Sequence, residues 1–375
     1  MRIGFDAKRA FNNTSGLGNY SRNTIKLLAD RYPENQYLLY TPGINGNLDF
    51  ILPKGSSIKT PGSAIGKYLG PLWRSVALSG RLRRDNIDLY HGLSHDLPVG
   101  IKNLKFKKVV TIHDMIAYRH PEMFSPVNRF IYQHKIAHSC RAADMIIAIS
   151  RSTKQDIMEF LDVDPSIIRV VYQTCDPLFF KTAGTSARHR VREKFSLPRN
   201  FLLSVGTIEP RKNLVSVIKA MHLGKIDMPL VVVGKKTSFT KTIYENIASF
   251  GVRHVHFLEN ISTEDLAVIY RLAAAFVYPS LYEGFGIPIL EALCSGTPVI
   301  TSTGSCFGET GGPGSLYVSP LEIEEIAAAI KMVLTDHELR QKMVDSGLDF
   351  AQNFRHGLIA EKMMDVYNMT LNSKT

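Results

Sequence analysis

Two periods of apolar positions alternate along this chain. Short apolar runs at residues 2–6, 36–40, 87–91, 108–113, 145–150 and 168–172 read as strands. Between most of them apolar positions recur every three to four residues, as in 126–143 and 151–161, which is the period of a helix with one buried face. The alternation resumes with strands expected at 201–205, 230–234, 254–258, 273–279, 299–301 and 316–318, and helices near 240–250 and 263–272. Strands alternating with helices predict a parallel sheet wrapped on both faces, because parallel neighbours need a crossover. The pattern runs through twice. Residues 178–198, rich in Thr, Ser and Arg and without apolar periodicity, read as the linker between a domain at 1–177 and another at 199–355. A last helix within 356–375 carries Ile359, Met363, Met364, Val366 and Tyr367. The length of 375 residues agrees with two domains, since a single core stops growing at about 250–300.

At 45% hydrophobic and 21% charged residues the composition is that of a globular protein, and no apolar run reaches the ~20 residues of a membrane span. The first strand follows Met1 directly, without the apolar stretch of a secretory signal, so a cytoplasmic protein is expected. Cys140, Cys175, Cys294 and Cys306 are scattered and read as free thiols.

The net charge of +11 points to an anionic partner: a nucleotide diphosphate, an anionic lipid surface or nucleic acid. Nucleic acid is set aside, because no helix-turn-helix, zinc-finger or aromatic RNA-binding pattern accompanies the charge. Residues 54–84 hold Lys54, Lys59, Lys67, Arg74, Arg81, Arg83 and Arg84 and no acid, while Ile65, Leu69, Leu72, Trp73 and Val76 recur at helical spacing. Such a helix can lie on an anionic membrane surface. The preferred alternative packs its apolar stripe on the domain's own sheet, since a strand follows at 87–91.

The stretch richest in chemistry follows the apolar run at 273–277. It reads Ser280-Leu281-Tyr282-Glu283-Gly284-Phe285-Gly286-Ile287-Pro288 and continues to Glu291, giving strand, glycine turn, then helix. Such a turn leaves unpaired N–H groups at a helix start, where the helix dipole favours an anion such as a nucleotide phosphate. Carboxylates would repel a phosphate, so Glu283 and Glu291 are expected to accept hydrogen bonds from sugar or ribose hydroxyls. The plainer alternative leaves both glutamates solvated.

Gly206 and Thr207 close the strand at 201–205, and Glu209-Pro210-Arg211-Lys212-Asn213 follows. Two adjacent cations before a helix suit a diphosphate, against a solvated basic turn as the alternative. His113 and Asp114 sit where an apolar strand ends, the position at which parallel sheets gather ligands. His91 and His95 follow another strand in the same way, and Gly16 and Gly18 form a glycine turn before a helix. No spacing among these histidines suggests a metal.

Glu283 and Glu291, eight residues apart around Gly-Phe-Gly-Ile-Pro, together with Glu-Pro-Arg-Lys-Asn, resemble the signature of the family 4 retaining glycosyltransferases. The likeness extends over nearly the whole chain. It implies the GT-B fold, in which two Rossmann-like α/β/α domains face each other across a cleft and the C-terminal helix crosses back to the N-terminal domain. It implies catalytic roles for His113, Arg211, Lys212 and Glu283. The donor site would add Gly16, Gly18, Gly206, Thr207, Gly284, Phe285, Gly286 and Ile287, with Glu291 on the ribose. His91, His95 and Asp114 would stand on the acceptor side. The loop at Ser305-Cys306-Phe307-Gly308-Glu309 departs from the family's usual Pro-Glu wording, with Glu309 the candidate for that Glu.

By the same resemblance the reaction retains anomeric configuration and needs no metal or cofactor beyond the nucleotide-diphosphate sugar. The leaving phosphate takes the proton of a glycan or lipid-linked acceptor on the same face. Thr111-Ile112-His113-Asp114 and His91-Gly92-Leu93-Ser94 resemble bacterial mannosyltransferases of surface polysaccharide synthesis, which implies GDP-mannose as donor. UDP-glucose or UDP-N-acetylglucosamine is the second choice of donor. A nucleotide-sugar epimerase and a non-catalytic nucleotide-binding regulator are the competing functions.

Overall fold

In the computed structural model, which describes residues 1–45, 50–61 and 78–373, both predicted sheets are present and all their strand pairs are parallel. The basic segment's Lys67 and Arg74, and its apolar residues from Ile65 to Val76, lie outside the described residues. The chain divides into two units, one of residues 1–173 with 356–375, the other of 174–355.

The first sheet holds β1 (Arg2–Asp6), β2 (Gln36–Tyr40), β3 (Ser56–Lys59), β4 (Leu89–Gly92), β5 (Lys107–Ile112), β6 (Met145–Ala148) and β7 (Ile168–Val170). Their order is β3-β2-β1-β4-β5-β6-β7. The edge strand β3 was not expected: three of its residues are partly buried and Ser57 is exposed, so it has no apolar run to betray it. Successive side chains of the inner strands enter opposite cores, as expected of a sheet covered on both faces. Val109 joins Phe5, Ile25 and Leu28, whereas Val110 joins Tyr90, Ile136 and Ile157. The last helix, His356–Asn372, packs in this unit, with Ile359, Met363, Met364 and Tyr367 in the core beside Phe5.

The second sheet holds β8 (Leu202–Val205), β9 (Leu230–Val233), β10 (Val255–Leu258), β11 (Ala275–Tyr278), β12 (Val299–Ser302) and β13 (Leu316–Val318), in the order β10-β9-β8-β11-β12-β13. Residues 178–198, expected as a linker, belong to this unit and include the helix Thr185–Lys194. That helix buries only Val191, too little to show a period. Its Lys194 pairs with Asp265 at 2.6 Å, and Arg271 holds the Phe179 carbonyl at 2.6 Å, so the segment is strapped to the helix Thr263–Leu272.

Candidate active site

In the second unit the chain winds outward from β8 to β10 on one side and from β11 to β13 on the other, so the winding direction switches between β8 and β11. Open α/β sheets bind ligands at the carboxyl ends of strands beside such a switch. Both charged motifs issue from this place, residues 206–213 after β8 and 279–286 after β11.

The two loops are stitched by backbone and amide hydrogen bonds. Leu281 N–H donates to the Arg211 carbonyl at 2.9 Å, and Ser280 Oγ lies 3.0 Å from the same oxygen. Asn213, in the left-handed region at φ 57°, donates from Nδ2 to the carbonyls of Pro279 at 3.0 Å and Pro320 at 2.7 Å. Asn is among the few residues that take this conformation at low cost.

This stitching carries Glu283 onto the cations. Its Oε1 lies 2.6 Å from Lys212 Nζ and 2.7 Å from Arg211 Nη1, and accepts from Ser280 Oγ at 2.7 Å and Tyr278 OH at 2.8 Å. Arg211 also reaches Glu209 at 2.6 Å and the Tyr282 carbonyl at 2.8 Å. Burial alone would push the Glu283 carboxyl up, but Lys212 and then Arg211 outweigh it and hold it at about 2. Burial draws the Lys212 ammonium down, with Glu283 opposing. Two cations and two carboxylates thus form a locally balanced cluster, in which Glu283 is the buried counter-ion that fixes Lys212 and Arg211. This pairing occupies Oε1 and adds a structural role to the one expected of Glu283 toward donor-sugar hydroxyls.

Gly286, at φ 90°, precedes the helix Ile287–Cys294, and only glycine takes that angle without strain. Phe285 is buried against Phe354, ring centres 5.7 Å apart, and Ile287 opens the helix half-buried. Ser305 Oγ and Cys306 Sγ donate to the Glu283 carbonyl at 2.9 and 3.2 Å, so the loop that departs from family wording braces the glutamate's backbone. Glu309 lies half-buried in the short helix Phe307–Gly311. Gly206 lies beneath the Lys212 side chain, and Thr207 is exposed beside it.

Glu291 stands one helical turn further on and accepts from Tyr270 OH at 2.9 Å. Burial pushes its carboxyl up to about 8, Tyr270 partly opposing. A carboxyl raised above its unfolded value of ~4.3 stabilises the fold below that pH, and the contribution fades as pH rises towards the folded value. Glu291→Gln should therefore flatten the pH dependence of Tm between about pH 4 and 8, with the variant gaining on the native chain at the alkaline end. Thermal unfolding across that range checks this, and parallel curves would refute it.

The first unit brings three histidines together. His113 donates from Nε2 to the Leu93 carbonyl at 2.8 Å, leaving Nδ1 to face the Gln173 amide at 3.4 Å, and its ring meets Tyr20 edge-on at 4.5 Å. Burial and then His95 lower its pKa to about 3, so the ring is neutral near pH 7. His95 stacks obliquely on it, ring centres 5.1 Å apart. His91 is not available to an acceptor: it is fully buried, with Nδ1 hydrogen-bonded to Tyr367 OH at 2.6 Å and Nε2 to Thr111 Oγ1 at 2.8 Å. Its work is to pin the last helix to β5. Asp114 accepts from the Ile116 N–H at 3.2 Å in a local turn. At Gly18 a Cβ would meet the Asn13 carbonyl at 1.9 Å, so this glycine serves close packing of its own loop, whereas Gly16 faces open space.

Two family models match the two halves of the chain: Glycosyltransferase Family 4 over residues 14–177 and Glycosyl transferases group 1 over residues 186–349. The chain is a family 4 glycosyltransferase. This glycosyltransferase is similar to O-antigen chain mannosyltransferase B of Escherichia coli, with 27% identity over 95% of this chain and 96% of the relative. It is also similar to O-antigen chain mannosyltransferase RfbU of Salmonella typhimurium, with 28% identity over 71% of this chain and 70% of the relative. The solved structure of Anabaena HepE in complex with UDP-glucose matches with a TM-score of 0.76 at 18% identity, covering 98% of this chain and 99% of that one. That likeness shows the fold, which is GT-B.

Several residues of the glycosyltransferase's second-unit site escaped the sequence reading. Tyr278 and Ser280 hold Glu283, Tyr270 holds Glu291, and Glu209 shares Arg211. Tyr278 and Ser280 did carry a signal, as polar groups at the end of an apolar strand. Tyr270 carried none, because it belongs to the apolar stripe of its helix.

Proposed function

We propose that this glycosyltransferase moves a hexose, with mannose from GDP-mannose as first choice, to a glycan or lipid-linked acceptor with retention of configuration. The observation that carries the reading is the Lys212–Glu283–Arg211 cluster beside the helix start at Gly286, at the switch point of a nucleotide-type sheet. A departing diphosphate needs fixed positive charge that does not reorganise during reaction, and a cation locked by a buried carboxylate has that property. The helix start supplies further N–H donors.

In this scheme Arg211 and Lys212 bind the pyrophosphate, Glu283 holds them in register, and Glu291 meets the ribose. A neutral His113 positions sugar or acceptor and does not serve as an acid. The leaving phosphate oxygen takes the acceptor proton, and the scheme calls on no metal. A lipid-linked acceptor would bring the enzyme to the cytoplasmic membrane face, where Lys54, Lys59, Arg81, Arg83 and Arg84 offer basic charge. No helix among the described residues is long and apolar enough to cross a membrane.

Mannose is favoured because relatives along the chain are named mannosyltransferases. UDP-glucose is the second reading, supported by the HepE complex. A thermal-shift panel of GDP-, UDP-, ADP- and dTDP-sugars separates them. A donor at ~100 times its Kd stabilises by about 2.7 kcal/mol, which for a domain of this size raises Tm by roughly 5–10 °C. GDP-mannose should give the largest rise. A larger rise with UDP-glucose would move the donor assignment, and no rise with any sugar nucleotide would remove the proposed function. Anomeric proton signals of the product then report retention.

A further inference from the structure

The first unit contains a cavity of about 190 Å³ at the carboxyl edge of its sheet. Its walls include Arg9, just after β1, with Ser94, His95 and Asp96 after β4, and Tyr132 and Lys135 from the helix Pro126–Ala142. A single water needs only about 10–15 Å³ on the same measure, so the space holds a larger guest.

Two buried polar atoms on these walls have no partner, Arg9 Nε and His95 Nδ1. Buried polar atoms without partners are rare in native proteins, and two around one cavity, Arg9 Nε a donor and His95 Nδ1 a donor in one of its tautomers, ask for a polar ligand. His95 is 7% exposed and held at φ 63°, a left-handed conformation that persists where the surroundings or a function demand it. Burial and then Arg9 keep its ring neutral near pH 7, with a pKa of about 4, so one ring nitrogen carries a hydrogen to donate. Arg9 makes no ion pair among the described residues, and the one wall carboxylate, Asp96, is 3.6 Å from Lys135. The cavity is left with a net positive wall. These groups point to an anion.

The helix that carries Tyr132 and Lys135 adds a second property. On the same helix Val127 and Phe130 are 67% and 60% exposed, and the helix carries Arg129, Lys135 and Arg141 without an acid. An anion seated between Arg9 and Lys135 could thus trail an apolar chain across this helix.

We propose that the cavity walled by Arg9, His95 and Lys135 is a subsite for the phosphate or diphosphate ester of a phosphorylated acceptor. This rests on reading the chain as a transferase with an acceptor. It gives the acceptor a chemical class.

The test uses the full chain and two calorimetric titrations. GDP alone reports the donor reading. Inorganic pyrophosphate, added with GDP held saturating, or without it if GDP does not bind, reports the cavity. One further saturable pyrophosphate site is expected, weakened at least ~10-fold in both Arg9→Gln and Lys135→Gln, as for loss of a charge-assisted contact. GDP affinity should be unchanged in both variants, which also shows that they fold, and the half-exposed Lys135 keeps the test open if Arg9→Gln does not. Absence of that site, or equal pyrophosphate affinity in the native chain and Lys135→Gln, overturns the proposal. Tighter binding of geranyl pyrophosphate than of inorganic pyrophosphate would identify a lipid-borne ester, and equal binding a soluble one.

Discussion

Lys212→Ala should lower kcat by about 10²–10³, the loss that follows removal of one preorganised donor to a charge developing in the transition state. KM for the donor should change by no more than about threefold, because the contact strengthens as the diphosphate leaves and contributes little in the ground state. The structural ground is the position of Nζ, fixed by Glu283 at 2.6 Å and Tyr278 at 2.5 Å on a partly buried stem. Initial rates over a range of donor concentrations separate the two constants. A kcat close to that of the native enzyme, or a change confined to KM, would remove Lys212 from the catalytic role.

Glu283→Ala should destabilise the second unit by about 3–5 kcal/mol, since removing one member of a buried ion pair leaves the other charge uncompensated. In a domain of this size that corresponds to a fall in Tm of roughly 6–20 °C. Lys212 bears most of this loss, because Arg211 keeps Glu209 at 2.6 Å while Lys212 pairs with no second carboxylate among the described residues. Adding Lys212→Met to Glu283→Ala should therefore recover part of the lost Tm, giving a coupling energy in the double-mutant cycle. Additive losses would show that the two side chains act independently. The carboxyl is held at about 2, well below its unfolded value, so its contribution is full above the ordinary carboxylate range. It fades only as pH falls towards 2.

The two glutamates look alike in the sequence and differ in kind in the structure. Glu283, beside two cations, stays ionised to about pH 2, whereas Glu291, beside Tyr270 and away from any such pair, is pushed up to about 8. Their spacing on the chain carries no trace of this, because the difference is made by neighbours that arrive from β8 in one case and from the helix Thr263–Leu272 in the other.

What the sequence determined by itself is local. Apolar period fixes strand and helix over a few residues, so the alternation of elements was legible, as were the glycine turn at Gly286 and the paired cations after β8. It failed where the local signal was thin, at the edge strand β3 and at the helix Thr185–Lys194 with its one buried residue. Strand order is not local. Placing β8 beside β11, and β4 between β1 and β5, joins segments that no period relates. Only that placement turned Glu283 into the counter-ion of Lys212, sank His91 between Thr111 and Tyr367, and brought Arg9 and Lys135 to the walls of one cavity. Charge pairing and burial depend on distances of a few ångströms between residues remote in the chain, and the tertiary fold alone sets those distances.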